Sequence, residues 1–403
     1  MHVGIITRRY PPLKTGNGAA ISTALLAESL VERGFSVTVF SFDYQDHLKR
    51  EEIRNNVRVI RKRSLSHRAL PLSLMPTILR IVAKYDKYVD IFHIYHLSAM
   101  PGAGLYKISG GKKAVIATLN GYSFCPAGAP TVKCLRCYYL ANRIYCMRLS
   151  MYPKRYPLLT EYYAAVYPMI AYLAKKLDCY IAPTEYVKKL HVKHGFPEDR
   201  IVVIPNFVNV KSWKQINVQS REREDVFNIL YVGKLSYHKG THILLRAFAQ
   251  FSRSCDKAKL NLVGGGNLPL FIRLARKLKI EHKVKFHGHV SEKSELVKHY
   301  LNADVFVHPA IYPEPFNRTI LEALQFEVPV IVSNVADLPK IVNGAGLSYK
   351  YDDPSDLADK LVELYNNVDL LKELKLRCRA VLNKYSIDNV IPRIIRLYAT
   401  LLS

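Results

Sequence analysis

The sequence predicts an α/β protein built of two doubly wound domains, each a parallel sheet covered by helices on both faces. Three observations predict it. Short apolar runs of strand length alternate with stretches of helical periodicity. The alternation pauses after Pro205-Asn206, crosses the polar stretch Ser212–Asp225, and then restarts. The 403 residues, 49% of them hydrophobic, exceed one ordinary α/β domain and can fill two cores. The expected organisation is a domain over 1–205 with a Cys-rich insertion at about 121–150, a second domain over 206–385, and a C-terminal helix in 386–403 packing back toward the first.

In the first half, Val3–Thr7 is an apolar strand and Ala19–Arg33 a helix, with Ile21, Leu25, Leu26 and Leu30 at helical spacing and Gly34 as terminator. Phe35–Ser41 is rich in β-branched and aromatic residues and reads as the next strand. Val57–Arg61, Ile91–Ile94, Ala114–Leu119, Tyr180–Ala182 and Ile201–Ile204 are further strands, with Leu72–Tyr85 helical. Tyr138–Leu177, dense in Tyr, Leu and Ala, predicts helices apolar on one side and cationic on the other. In the second half the strands are Phe227–Val232, Lys259–Val263, Val284–His287, Val305–Val307 and Val328–Val332. Thr241–Ser252, Leu268–Leu278, Glu292–Asn302 and Arg318–Phe326 are the helices between them. Asp353-Pro354 starts a helix, Asp capping and Pro in the first turn, and Val390–Leu402 is amphipathic. Two such units place a ligand cleft beyond the carboxyl ends of their strands.

Charged residues are 23% of the chain, so composition excludes disorder. The balance is basic: 59 Lys and Arg against 33 Asp and Glu, net +26. The excess is concentrated in 1–205, with 30 basic and 13 acidic residues, and no carboxylate occurs between Asp90 and Glu161. Such a field attracts nucleic acid, an anionic membrane surface or a phosphorylated substrate. The apolar runs are too short to span a bilayer. Met1–Thr7 reads as a strand followed by Arg8 and Arg9, which is not a secretion signal. The expected location is cytoplasmic, with peripheral attachment at the inner face of the membrane.

Three motifs carry chemistry. In Tyr231-Val-Gly233-Lys234-Leu-Ser-Tyr-His-Lys239-Gly240 a strand ends and two lysines precede a helix start, a combination that can hold a diphosphate. In Tyr312-Pro-Glu314-Pro-Phe316-Asn317-Arg318-Thr319-Ile-Leu-Glu322-Ala the first carboxylate follows a strand and the second lies one turn into a helix, so both can face one cleft. In Pro11-Pro-Leu-Lys-Thr-Gly16-Asn17-Gly18 the glycines permit close approach of a phosphate or sugar, without the spacing of a dinucleotide site. The first also has a plainer reading as a basic surface loop, Glu322 one as a surface helix carboxylate, and the third motif is a weak signal alone. A fourth cluster, Cys125-x8-Cys134-x2-Cys137-x8-Cys146, suits a tetrahedral structural zinc; free or redox-active thiols are the alternative. Cys179, Cys255 and Cys378 read as buried apolar residues.

Together the motifs resemble family four of the retaining glycosyltransferases, the glycosyl transferases group 1, over nearly the whole chain. Supporting segments are Ile204-Pro-Asn206, Ala182-Pro-Thr184-Glu185, Phe286-His-Gly288 and Ser333–Pro339. The resemblance implies a GT-B fold, two Rossmann-like domains facing across a cleft, and a UDP- or GDP-linked sugar donor. Glu322 would bind the ribose. Lys234 and Lys239 would bind the diphosphate, Lys234 standing where the family has Arg. Glu314 would contact the transferred sugar. Gly233, Asn17, Gly18, and the backbone around Phe316, Asn317, Arg318 and Thr319 would complete the donor site, Asn317 standing for the usual Gly. Asn120 in Thr118-Leu-Asn120-Gly121 stands where the family commonly has a sugar-contacting His. His93 and His96 are candidate substitutes, though a packed histidine is the plainer reading. The implied mechanism is electrostatic, with attack from the leaving-group face and no catalytic metal. The expected acceptor is a lipid-linked or other glycan, with an anionic membrane surface as partner and no nucleic acid. A nucleotide-sugar epimerase of the same fold and a basic nucleic-acid-binding protein are the alternatives; the latter leaves Glu314 and Glu322 unexplained.

Overall fold

In the computed structural model, residues 1–12, 18–42, 48–62, 71–122, 157–210 and 226–403 are described. They form two compact units, Met1–Phe207 with Ile387–Ser403, and Val208–Ser386. No helix among the described residues is long and apolar enough to cross a membrane.

The first unit holds β1 (His2–Thr7), β2 (Ser36–Ser41), β3 (Glu51–Arg54), β4 (Val57–Arg61), β5 (Ile91–Ile94), β6 (Ala114–Thr118), β7 (Cys179–Ala182) and β8 (Ile201–Val203) in the order β3-β4-β2-β1-β5-β6-β7-β8. All neighbours pair parallel except β3 with β4. Strand β3 was not expected: Glu-Glu-Ile-Arg carries no apolar run, and as an antiparallel edge strand it needs none. Residues alternate between two cores. Val3 and Ile5 of β1 pack with one face of the sheet, and Ile6 with the other. That two-sided burial is what a parallel sheet requires and why its strands read as near-continuous hydrophobic runs. Helix Ile387–Leu402 belongs to this unit: Ile387, Val390, Ile391, Ile394 and Tyr398 join the same core as Val3 and Ile5.

The second unit holds β9 (Phe227–Val232), β10 (Ala258–Val263), β11 (Val284–Gly288), β12 (Val305–His308), β13 (Val330–Ser333) and β14 (Gly346–Tyr349) in the order β11-β10-β9-β12-β13-β14, all parallel. Ile229 and Tyr231 face one core, Leu230 the other. The order reverses beside β9, whose neighbours are β10 and β12. The loops leaving β9 and β12 therefore lie together at the carboxyl edge, where an open parallel sheet binds its ligands.

Candidate active site

The loop after β9 is shaped by backbone fit. Gly240, the N-cap of helix Thr241–Phe251, has φ 71°. A Cβ there would lie 1.7 Å from the Pro309 carbonyl oxygen, so only glycine lets this helix start approach the loop after β12. The amide of Ile311 donates to the His238 carbonyl (3.2 Å) and ties the two loops. Beneath them, Gly264 sits where a Cβ would lie 1.9 Å from the Gly233 carbonyl oxygen, and Leu235 N–H donates to Gly265 O at 2.8 Å. Buried Tyr231 donates its hydroxyl to the Lys234 carbonyl (2.9 Å), leaving the Lys234 side chain exposed.

This fit brings Lys239 onto Glu314. Lys239 Nζ lies 2.8 Å from Oε1 of Glu314, whose side chain is 4% exposed. His308 Nε2, at the end of β12, lies 3.4 Å from the same oxygen. Asn317 Nδ2 donates to the other oxygen at 2.8 Å. Burial raises the Glu314 carboxyl, but His308 and Lys239 act against it and hold it well below the usual carboxylate range. Burial in turn lowers the Lys239 ammonium, and Glu314 outweighs that and raises it. The pair is thus ionised on both sides at neutral pH.

Asn317 lies in extended backbone without strain, at φ −120°. Its Oδ1 caps helix Arg318–Gln325, accepting from Thr319 N (2.9 Å), Thr319 Oγ1 (2.6 Å) and Ile320 N (3.4 Å). The Thr319 amide is therefore already used by the cap. Glu322 lies on that helix and accepts from the Tyr300 hydroxyl at 3.0 Å. Burial raises its carboxyl, against the lowering effect of Arg318, Tyr300 and Lys293. His308, Tyr300 and the Gly264–Gly266 run escaped the sequence reading. A polar residue ending the apolar run Val305–Val307, and three glycines before an Asn-capped helix, were the available signals.

In the first unit, Asn120 follows β6. Its Oδ1 accepts from Asn206 Nδ2 at 3.2 Å, and its Nδ2 is buried with no hydrogen-bond partner among the described residues. His93 is a packed histidine: its ring nitrogens lie 2.6 Å from Tyr398 Oη and 2.6 Å from Thr118 Oγ1, and burial pushes it down to about 3. His96 caps the short helix Leu97–Ala99 through Ser98 N. Gly18 begins helix Gly18–Val31. Asn17 and the cysteines Cys125, Cys134, Cys137 and Cys146 lie outside the described residues. Cys179, Cys255 and Cys378 are buried and free.

The family profile described as Glycosyltransferase Family 4 matches residues 16–212, and that of Glycosyl transferases group 1 matches 213–380. The chain is a family-four glycosyltransferase. The glycosyltransferase is 28% identical over 423 residues to an uncharacterized glycosyltransferase of Methanocaldococcus jannaschii, across 99% of this chain and 98% of that one. In fold it is similar to sucrose-phosphate synthase from Thermosynechococcus elongatus, with a TM-score of 0.74 at 20% identity, covering 99% of this chain and 98% of that one. It is also similar to HepE of Anabaena in complex with UDP, with a TM-score of 0.72 at 16% identity, covering 99% and 100%. The fold of the glycosyltransferase is accordingly GT-B.

Proposed function

We propose that this glycosyltransferase moves a sugar, with retention of anomeric configuration, from a UDP- or GDP-linked donor to a hydroxyl of a lipid-linked or other glycan at the cytoplasmic membrane face. The ion pair of half-buried Lys239 with buried Glu314, set beside a helix N-terminus at the carboxyl edge of the second sheet, carries the reading. A carboxylate held ionised accepts hydrogen bonds and donates none. Glu314 therefore orients hydroxyls of the transferred sugar and is not the acid that protonates the leaving phosphate. The negative charge growing on the diphosphate is met instead by Lys239, by exposed Lys234 and by N–H groups of the loops.

Glu322 takes the ribose hydroxyls, and Gly233, Gly18 and the backbone of Phe316, Asn317 and Arg318 line the donor. The buried amide of Asn120, which has no partner among the described residues, supports a hydroxyl contact, since a donor of that kind is ordinarily satisfied. The acceptor hydroxyl attacks from the leaving-group face and gives its proton to a phosphate oxygen. Complexes of HepE with UDP-glucose support the donor class.

A thermal-shift screen of nucleotide sugars tests this. The matched donor at 100 times its Kd adds about 2.7 kcal/mol of stability, and Glu322→Ala removes the shift. The anomeric configuration of the product, read by NMR, decides retention. If no nucleotide sugar raises the melting temperature, the reading fails.

A further inference from the structure

The opposite, amino-terminal edge of the first sheet has no part in that chemistry, yet it is unusually built. Three loops enter β5, β6 and β7 there. Those strands are neighbours, with Ile91 paired to Ala114 and Ile116 to Cys179. The loops therefore lie side by side. They and the adjoining helix ends present large apolar side chains to solvent: Tyr88 67%, Tyr172 54%, Ile108 51% and, at the end of helix Ile387–Leu402, Leu402 44% exposed. Lysines are interleaved with them. Lys84, Lys87 and Lys112 are exposed, and Lys113 and Lys176 half-exposed. Lys84 and Lys176 lie over the rings of Tyr85 and Tyr172, at 5.7 and 4.2 Å from the centroids.

The carboxylates of the same edge are each engaged by a donor of the chain. Asp86 accepts from the Tyr106 hydroxyl, and Asp90 from the His2 amide at 2.7 Å. Asp178 accepts from Val115 N at 2.7 Å and pairs with Lys107 at 3.0 Å. An open cavity of about 570 Å³ lies here, lined by Lys107, Lys112, Lys113, Leu401 and Leu402 together with Asp90 and Asp178. The basic character ends at the entry to β8, where Glu198 and Asp199 are exposed.

We infer that this amino-terminal edge is a docking surface for an anionic lipid bilayer. Aromatic rings with lysines beside them suit the headgroup boundary, where the ring is half dehydrated and the ammonium meets phosphate. The cavity has room for one phosphate headgroup, its two carboxylates being met already by the His2 amide and by Val115 N and Lys107. The inference deepens the proposed membrane association by assigning it to one surface, and it is independent of donor binding.

Sedimentation of the full chain with vesicles of equal parts phosphatidylglycerol and phosphatidylcholine tests the surface. Binding is expected at low salt and weakens as salt screens it. The combined substitution Lys84→Gln, Lys87→Gln, Lys112→Gln and Lys113→Gln should weaken it by about fivefold per lysine. Tyr88→Ser with Tyr172→Ser should lower the part that survives high salt. Charge-matched removal on the second unit, Lys277→Gln, Lys279→Gln, Lys285→Gln and Lys298→Gln, should leave binding as it was. Equal loss in that control overturns the assignment. So does failure of the native chain to sediment, RNA binding that tracks the same lysines in place of lipid, or light scattering that shows the edge joining two copies. Donor-induced thermal shift is read in parallel. Lost vesicle binding with an intact donor shift supports the surface, whereas a missing donor shift with intact vesicle binding overturns the donor reading alone.

Discussion

A carboxylate as buried as Glu314 stays ionised only because cations and donors meet it. Removing one partner leaves an uncompensated charge. Lys239→Met is expected to cost about 3 kcal/mol of stability, and Lys239→Met with Glu314→Gln to recover most of it, both being inactive in transfer; urea unfolding and sugar transfer measure the two effects. The pH dependence follows the same pair. Because folding lowers the Glu314 carboxyl, its contribution is present above the unfolded carboxylate range and is lost as pH falls through the folded value. The stability difference between the native chain and Glu314→Gln should be flat above about pH 5 and shrink in acid. Glu322 runs the other way. Burial raises it, so its ionisation costs stability as pH rises through the folded value. Glu322→Gln should therefore melt no lower than the native chain at neutral pH while its nucleotide affinity falls at least tenfold, a stability gained at the expense of binding. A drop in melting temperature with unchanged nucleotide binding would assign Glu322 a purely structural role.

Elements position these side chains through fits that tolerate little change. The start of helix Thr241–Phe251 approaches the loop after β12 because Gly240 carries no Cβ and has a positive φ. Gly240→Ala must move backbone on one side or the other, since the clash is with a carbonyl and not with a flexible side-chain end. We expect a loss of at least 2 kcal/mol and, in the folded fraction, a Lys239 displaced from Glu314. A crystal structure of the variant with the pair unchanged at its native separation would contradict this. Asn317 serves two elements with one side chain, its oxygen capping helix Arg318–Gln325 and its amide nitrogen holding Glu314. The cap therefore orients the carboxylate, which a glycine at this position cannot do.

At the scale of the whole molecule, contacts link residues far apart in sequence. Tyr398, near the end of the chain, contacts His93 on β5 across 305 positions, and both are fully buried. Burial keeps His93 neutral, so one ring nitrogen is a donor and the other an acceptor. Tyr398→Phe leaves one of them unmet and should cost about 1–3 kcal/mol, seen in calorimetry as an earlier transition of the first unit with that of the second unchanged. A shift of both together would show that the two units melt as one cooperative block. The net charge of +26 also acts at this scale. It sets the sign of the surface, and the fold decides which lysines share an edge.

Local order was legible because periodicity and turn chemistry depend on near neighbours. The strands Phe227–Val232 and Val305–Val307, the Asp353 cap and the packed state of His93 could all be read from short windows of sequence. The spacing of Glu314 and Glu322, and the two lysines ahead of a helix start, pointed to the glycosyltransferase family in the same way. Strand β3 was illegible because an edge strand carries no apolar run. His308 and Tyr300 were illegible because only the folded chain sets them against the two glutamates. The alternation of strand and helix does not say which strands are neighbours. That depends on how each crossover packs on the growing sheet. Only the tertiary structure put β9 beside β12, and with it Lys239 against Glu314 across 75 positions. By the same route it gathered the lysines and tyrosines of three separate loops on one edge.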